Sequence, residues 1–356
     1  MVDVITMVSI ALKTSLVVVA VGSLSLALRR PSAAFGHALW TTALALCVLM
    51  PVGVLLLPSH DLVTLPAAQT TVVRAAASSI SIIVVLWLIG SSIVVLHGLL
   101  AALGLARWRR HAFPLTSTHW AATLTRICAT HGFDHRRLRV LESQHISSPC
   151  TWGVMRPVLL LPSVGDAWPE SARYAALMHE LAHIERRDSM SILVARLACA
   201  LHWYNPLVWL AAQRVRSLQE RACDDAVLRA GAMPSDYAQF LLDVAANTSG
   251  MTRPARAAIG MAHGSSLRAR IVAILDPHAT RSRPHPVRLV ATCVSLFVLT
   301  ILLASASVAV EPPPLPPIPS TPELPKVPEL PPIPPVPAIP AIPAVPAVPP
   351  EAATSP

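Results

Sequence analysis

Charged residues are scarce in this chain. Asp, Glu, Lys and Arg make up 13% of the 356 residues, about half of the roughly 25% that is usual in soluble domains. Hydrophobic residues make up 53%, and the mean hydropathy is +0.56. This composition argues against an ordinary soluble protein and predicts that much of the chain lies in a lipid bilayer.

Cysteine is also scarce, with six residues in the chain. None belongs to a CxxC pair or to a Cys/His zinc-binding pattern. We therefore expect reduced thiols with structural roles, and neither a disulfide framework nor a cysteine-ligated zinc finger.

Three long stretches contain no charged residue at all: Pro31–His60, Ala75–Ala106 and Leu289–Val310. Each exceeds the roughly 20 apolar residues that span a bilayer. A fourth stretch, Val4–Leu28, is interrupted only by Lys13, whose long side chain can extend toward the nearer membrane face. The sequence predicts a polytopic α-helical membrane protein with four spans; a buried amphipathic helix is the alternative for the first stretch.

The basic residues predict the orientation of the spans. Arg29 and Arg30 lie between spans one and two, a basic run at 107–111 follows span three, and further arginines precede span four. Basic loops remain on the cytoplasmic side, which places the N-terminus and the C-terminal tail outside and residues 106–287 in the cytoplasm. We expect a multi-pass membrane protein.

The net charge of +9 follows from this topology and from contact with anionic lipids. No basic run is interleaved with aromatic residues as in nucleic-acid-binding segments, so direct nucleic-acid binding is not expected.

Two short apolar runs in the cytoplasmic part, Leu138–Ser143 and Pro157–Pro162, are bounded by turn residues and predict strands. A helix is predicted from about Pro169 through the sequence LMHELAHIERRD. The nearly uncharged segment Ser189–Gln213 predicts a helical hairpin against the membrane-facing side of this part. The sequence does not decide whether the hairpin enters the bilayer.

The tail, Glu311–Pro356, holds 20 of the 35 prolines, and from Pro337 to Pro349 a proline recurs every third residue. This spacing matches the three-residue turn of polyproline II. We expect a disordered, extended, extracytoplasmic tail that acts as a spacer or contacts periplasmic or cell-wall partners.

The helix at 177–188 contains the motif His179-Glu180-x-x-His183. Residues four apart lie on the same face of a helix, so the two imidazoles can share one cation. Glu180 lies about 100° away, beside the ligands, where a base can take a proton from metal-bound water. Because such a motif also arises by chance, a third ligand is needed.

Helical geometry excludes Glu185 and Asp188 as the third ligand, since neither points with the two histidines. Farther along, Glu220 and Asp224 share one helix face. Glu220 can complete a His/His/Glu site, and Asp224 can hydrogen-bond a ligating histidine. A solvated acidic face is the alternative for this pair.

Several motifs in this order resemble the BlaR/MecR-type membrane zinc peptidases, the proteases of beta-lactam sensor-transducers and their relatives. They are HELAHIERRD, HWYNPLVWL (His202–Leu210), ERACDDAVL (Glu220–Leu228), SAAFGHALWTTALALCVLMPV (Ser32–Val52) and SPCTWGVMRPVLLLP (Ser148–Pro162). The resemblance covers most of residues 1–310, including the four-span layout with a cytoplasmic peptidase.

The resemblance implies an α+β, zincin-like (gluzincin) metallopeptidase domain that binds one Zn2+ ion. It implies His179, His183 and Glu220 as ligands and Glu180 as general base. The resulting division of the chain is a three-span region at 1–105, the peptidase domain at 106–287, the fourth span at 288–310 and the tail at 311–356.

The resemblance also suggests roles for residues around the site. Asp188 and Asp224 would hold the ligands or the local fold, and the strand at 157–161 would be the edge on which an extended substrate lies. His202 and Tyr204 are candidates for stabilising the oxyanion, with packing of a helix turn as the alternative.

One departure limits what the resemblance implies. The fourth span leads to the proline-rich tail, where the antibiotic sensors carry a penicillin-binding domain, so beta-lactam sensing does not carry over. The expected function is a membrane-bound zinc endopeptidase that cleaves a cytosolic regulator of repressor type, or itself, in transmembrane signalling. We retain a homodimer as an oligomeric option, and a quality-control protease or a non-catalytic scaffold as alternative functions.

Overall fold

The computed structural model describes residues 4–28, 31–58, 60–65, 80–133, 138–248 and 264–310. The proline-rich tail lies outside the described residues, so the expectations for it remain predictions. All six cysteines are free thiols, as predicted.

Four helices of the described chain are long and apolar enough to cross a membrane, as predicted. They are α1 (Val4–Ala27), α2 (Ala33–Leu56), α3 (Ile80–His111) and the last helix, α10 (Pro286–Ser305). The predicted fourth span is shorter than its apolar run, because Ala306–Val310 forms strand β6 and pairs in parallel with β1 (His60–Leu65). The alternating valines of ASVAV favour a strand over a helix.

A four-stranded sheet follows α3. It contains β2 (Phe113–Pro114), β3 (Arg139–Ser143), β4 (Cys150–Trp152) and β5 (Val158–Pro162), in the order β2-β3-β5-β4. β3 and β5 are parallel, and the outer pairs are antiparallel. The two predicted strands are therefore present.

The prediction that the strand at 157–161 forms an edge is wrong. β5 lies between β3 and β4, and all five of its residues are buried. A continuous apolar run such as VLLLP is typical of a strand that is covered on both faces. Within the described residues, β4 pairs with β5 alone and forms that side of the sheet.

Six further helices complete the described chain: α4 (Thr118–His131), α5 (Glu170–Glu185), α6 (Asp188–Leu201), α7 (Pro206–Arg229), α8 (Pro234–Thr248) and α9 (Gly264–Leu275). The buried face of α5 packs into a core that contains Trp120, Leu159, Leu177 and Leu181. The predicted helix through residue 183 is confirmed, and its remaining face is left for α7.

The predicted hairpin at 189–213 is formed by α6 and the first part of α7. Asn205 ends the turn, and its side-chain Oδ1 accepts a hydrogen bond of 3.0 Å from the Leu207 N–H. Pro206 occupies the first helical position, where its missing N–H costs nothing. Apolar residues of both helices share one core with α1 and α2.

Gly90 of α3 tests the packing of this hairpin against span three. A Cβ at this position would lie 2.2 Å from Cε2 of Trp203, and the Trp203 indole is held by a hydrogen bond of 3.2 Å to the Trp87 carbonyl. Gly90→Ala is therefore expected to destabilise the protein by about 1–3 kcal/mol through overpacking. Gly104→Ala in the same helix, with no atom within 4 Å of its added Cβ, is the matched control.

Thermal unfolding of the detergent-solubilised full chain measures the effect. The Gly90 variant should melt below the wild type and the Gly104 variant should not. Equal melting temperatures for the two variants would contradict the contact.

Candidate metal centre

Helix α5 places the two histidines of the motif side by side. The ring centroids of His179 and His183 lie 4.9 Å apart. His179 is buried, and the His183 side chain is 13% exposed. Both rings face α7, because the neighbouring Leu177 and Leu181 take the opposite, sheet-facing side of α5.

Glu220 of α7 approaches the Nε2 atom of each histidine. Its Oε2 lies 3.5 Å from Nε2 of His179, and its Oε1 lies 3.8 Å from Nε2 of His183. Both Nε2 atoms thus lie within 3.8 Å of the Glu220 carboxylate. Two imidazole nitrogens and a carboxylate form one of the donor sets found in catalytic zinc sites.

The other nitrogen of His179 is held by two groups. Its Nδ1 lies 3.2 Å from Oδ1 of Asp224 and 3.1 Å from the hydroxyl of Tyr237. The Tyr237 hydroxyl donates to the same carboxylate at 2.8 Å. This arrangement fixes the ring and directs Nε2 toward Glu220.

The other nitrogen of His183 has an equivalent partner. Its Nδ1 lies 2.8 Å from Oδ2 of Asp188. The other oxygen of Asp188, Oδ1, forms an ion pair of 3.1 Å with Arg186. Nε2 of His37 in span two lies 3.9 Å from the same Oδ1. Each histidine therefore has a carboxylate on Nδ1, the arrangement that commits Nε2 to a metal.

Arg270 of α9 binds both acidic residues of α7. It makes two hydrogen bonds to Asp224, of 2.9 and 2.7 Å, and an ion pair of 3.1 Å with Oε2 of Glu220. Arg270 and Tyr237 were not predicted from the sequence. They lie in separate helices and belong to no motif that marks them as partners of the site.

These contacts set the ionisation of the site. Burial alone raises the pKa of Glu220, but the hydrogen bond to His179 and the charge of Arg270 hold that pKa well below its usual range. Burial alone lowers the pKa of His179, but hydrogen bonds with Asp224 and Glu220 outweigh it and raise the pKa to about 9. Glu220 is therefore held in its ionised form, and His179 binds a proton more readily than a free imidazole.

Cys223 also lies close enough to the two histidines to be considered as a ligand. Its Sγ is 3.3 Å from Nδ1 of His183 and 3.7 Å from Asp188. It therefore approaches the nitrogen that Asp188 already holds. Burial raises the pKa of the Cys223 thiol well above its ordinary value. We favour Glu220 over Cys223 as the third ligand.

Glu180 lies beside the ligand set and faces the sheet. The hydroxyl of Thr151 in β4 donates a hydrogen bond of 3.0 Å to its Oε2. The glutamate of the motif is thus positioned next to the outer strand of the sheet, a contact that the sequence did not predict.

The remaining candidates from the sequence lie elsewhere. His202 is buried, with Nε2 2.9 Å from the Cys47 carbonyl of span two and Nδ1 3.5 Å from the Tyr204 hydroxyl. This is the packing alternative for these two residues. Glu185 is exposed and pairs with Arg283 at 3.6 Å, in agreement with its exclusion as a ligand.

The chain is similar to a known peptidase family. The profile of the family described as BlaR1 peptidase M56 matches residues 5–274. The Regulatory protein BlaR1 of Bacillus licheniformis is 27% identical over 143 residues, which cover 40% of this chain and 24% of the relative. The match thus spans about a quarter of the length of that curated relative.

Replacing Glu220 separates the two candidate ligand sets. We expect Glu220→Ala to lose the metal, because a carboxylate donor is removed, whereas Cys223→Ser should retain it. Metal content of the purified protein, measured by elemental analysis, checks this. Metal loss in the Cys223 variant together with full retention in the Glu220 variant would reverse the assignment.

Asp224 should matter for metal affinity although it is not a ligand. Asp224→Asn weakens the support of His179 and is expected to lower the metal affinity about 10- to 100-fold. The neighbouring Asp225, which pairs with Arg281 at 3.6 Å, gives the control variant Asp225→Asn with unchanged affinity. Competition with a chelator of known affinity measures both, and equal affinities would contradict the role of Asp224.

Proposed function

Because the chain belongs to the BlaR1 peptidase M56 family, we propose that it is a membrane-bound zinc endopeptidase that cleaves a cytosolic protein of repressor type, or itself, in transmembrane signalling. The observation that supports it best is the convergence of His179, His183 and Glu220, with Glu180 beside them. The printed name of the relative, a regulatory protein, favours signalling over quality control.

The donor set fits zinc. Two imidazole nitrogens and one carboxylate are held in place by groups that leave both Nε2 atoms directed at Glu220. His179, His183 and Glu220 would hold the ion, which would supply polarisation of a peptide carbonyl and a lowered pKa of the attacking water. A non-catalytic scaffold has no need for such buried, costly charges.

Glu180 serves as the proton carrier in this proposal. Its carboxylate accepts the proton of the attacking water and delivers it to the leaving amine. The hydrogen bond from Thr151 to Oε2 orients the carboxylate for this step. The same contact links the base to the strand that we assign to substrate binding.

That strand is β4. Within the described residues its outer side has no strand partner, so an extended peptide can add to the sheet there through backbone hydrogen bonds. A peptide on β4 passes next to Glu180, because Thr151 lies at the middle of the strand. We therefore assign substrate binding to β4 and not to β5, the strand that was expected from the sequence.

For the topology, we propose that the peptidase domain, residues 106–287, faces the cytoplasm of a bacterial inner membrane. The basic residues at the end of α3, Arg109–His111, and the arginines ahead of α10 support this orientation. The N-terminus and the tail then lie outside, where the tail is available to periplasmic or cell-wall partners. The protein substrate is cytosolic, and a homodimer remains part of the proposal.

Glu180→Gln tests the mechanism. The amide cannot accept the proton, so cleavage should fall by roughly 10²- to 10⁴-fold while the metal remains bound. The measurement is proteomics of cleaved cytosolic proteins in cells that carry wild type or variant, together with metal analysis of the purified protein.

Glu185→Gln in the same helix is the control, because Glu185 is exposed and forms an ion pair with Arg283. It should cleave like the wild type. Undiminished cleavage by the Glu180 variant would rule out this mechanism.

A further inference from the structure

We infer that the hairpin of α6 and α7 is a re-entrant membrane element, which enters the bilayer from the side of the metal centre and turns beyond its middle. Its partner is the acyl-chain layer of the membrane. The inference rests on where the hairpin contacts spans one, two and three and on where span one contacts span four, and it does not depend on proteolytic activity.

The base of the hairpin lies beside the start of span two. Asp188, the first residue of α6, lies 3.9 Å from His37, near the start of α2. Leu218 of α7 packs against Gly36, where an added Cβ would lie 3.3 Å from the leucine side chain. We call the face of the membrane at which α2 and α10 begin the site side, and the opposite face the far side.

The turn of the hairpin contacts the spans much farther from the site side. Nε2 of His202 lies 2.9 Å from the Cys47 carbonyl of α2, which is about 21 Å along the helix from its first residue at 1.5 Å per residue. The α6 helix of 14 residues has the same length, about 21 Å. The hairpin therefore runs alongside span two.

Spans one and three also contact the turn of the hairpin far from the site side. The Asn205 amide donates a hydrogen bond of 3.0 Å to Ser15, in the middle of α1. The Trp87 indole, near the far-side end of α3, donates a hydrogen bond of 2.9 Å to the Leu201 carbonyl.

A contact between spans one and four shows that the part of α1 next to Ser15 lies near the far-side end of span four. Lys13, two residues before Ser15, donates a hydrogen bond of 3.2 Å to the carbonyl of Ala304, the penultimate residue of α10. A turn about 20 Å deep lies beyond the middle of a hydrocarbon layer about 30 Å thick.

The polar groups of the turn are satisfied as a low-dielectric layer requires. His202 and Asn205 are both buried and bonded to spans one and two. The indole N–H groups of Trp203 and Trp209 donate to backbone carbonyls, at 3.2 and 2.9 Å. Arg196, the one charged residue of the segment 189–213, is directed at the Gly98 carbonyl of α3 at 3.5 Å.

Apart from Arg196, which is exposed beside α3, the outward face of α6 is apolar. Met190, Leu193 and Leu197 are each more than 40% exposed, and their spacing places them along one side of α6. Leu210 of α7 is 58% exposed. This surface continues the exposed apolar surface of α3, which packs beside α6, so one lipid layer covers both.

Spin labels measure the depth directly. Met190→Cys, Leu193→Cys and Leu197→Cys each take one nitroxide, in the full chain in phosphatidylcholine nanodiscs. Leu99→Cys on α3 is the lipid-facing control, and Met155→Cys, in the exposed loop after β4, is the aqueous control. The background carries Ser at the three partly buried native cysteines, Cys128, Cys150 and Cys293.

A re-entrant α6 predicts that the ratio of oxygen to nickel-chelate accessibility rises severalfold from 190 to 197, because these positions lie about 10 Å apart along the helix axis. At 197 the ratio should reach that of the Leu99 control. Ratios equal to the Met155 control would place the hairpin in water, and equal intermediate ratios at all three positions would place it flat on the surface. Either result overturns the inference.

Tryptophan fluorescence provides a second test, which needs no spin label and remains possible if the labelled variants fail to fold. The difference in fluorescence between wild type and Trp209→Phe isolates the emission of Trp209. Brominated phosphatidylcholine should quench that emission and aqueous iodide should not. Quenching by iodide alone would overturn the inference even if every labelled variant were lost.

Discussion

The arrangement of the peptidase part depends on one constraint: two carboxylates on the same face of α7 lie largely out of water, since Asp224 is buried and Glu220 is only 23% exposed. A buried negative charge persists only when it is paired and hydrogen-bonded. Arg270 pairs with both carboxylates, and His179 contacts both. Tyr237 bonds to Asp224. These partners come from α5, α8 and α9, so the contacts that compensate the two carboxylates also hold these three helices against α7.

Helix α7 also connects the site to the membrane. Its first part, which includes Val208, Ala211 and Val215, shares an apolar core with spans one and two, and its second part carries the two acids. Asp188, which holds His183, begins the other helix of the same hairpin. Both histidine supports therefore stand on elements that pack against span two. The site and span two are thus joined through packed helices.

The sequence predicted what depends on local periodicity. Four apolar runs gave the spans, and i, i+4 spacing paired His179 with His183 and Glu220 with Asp224. The strand order could not be predicted, because β4 has three residues and β2 has two, too few for an alternation to be recognised. Arg270 was missed because it is one of two arginines in a helix that carries no recognisable motif. Its partners are 46 and 50 positions away in the chain, and only the folded structure brings them together.

The charges around the site give a reason to expect a divalent cation that is independent of any motif. Glu180, Glu220, Asp188 and Asp224 surround the two histidines, while Arg186 and Arg270 are the cations paired with them. Four carboxylates against two guanidinium groups leave two negative charges at a largely buried position. Hydrogen bonds with Asp224 and Glu220 raise the pKa of His179 to about 9, so a proton on the ring offsets part of that charge. A divalent cation bound there would offset all of it and would require His179 to be a neutral imidazole.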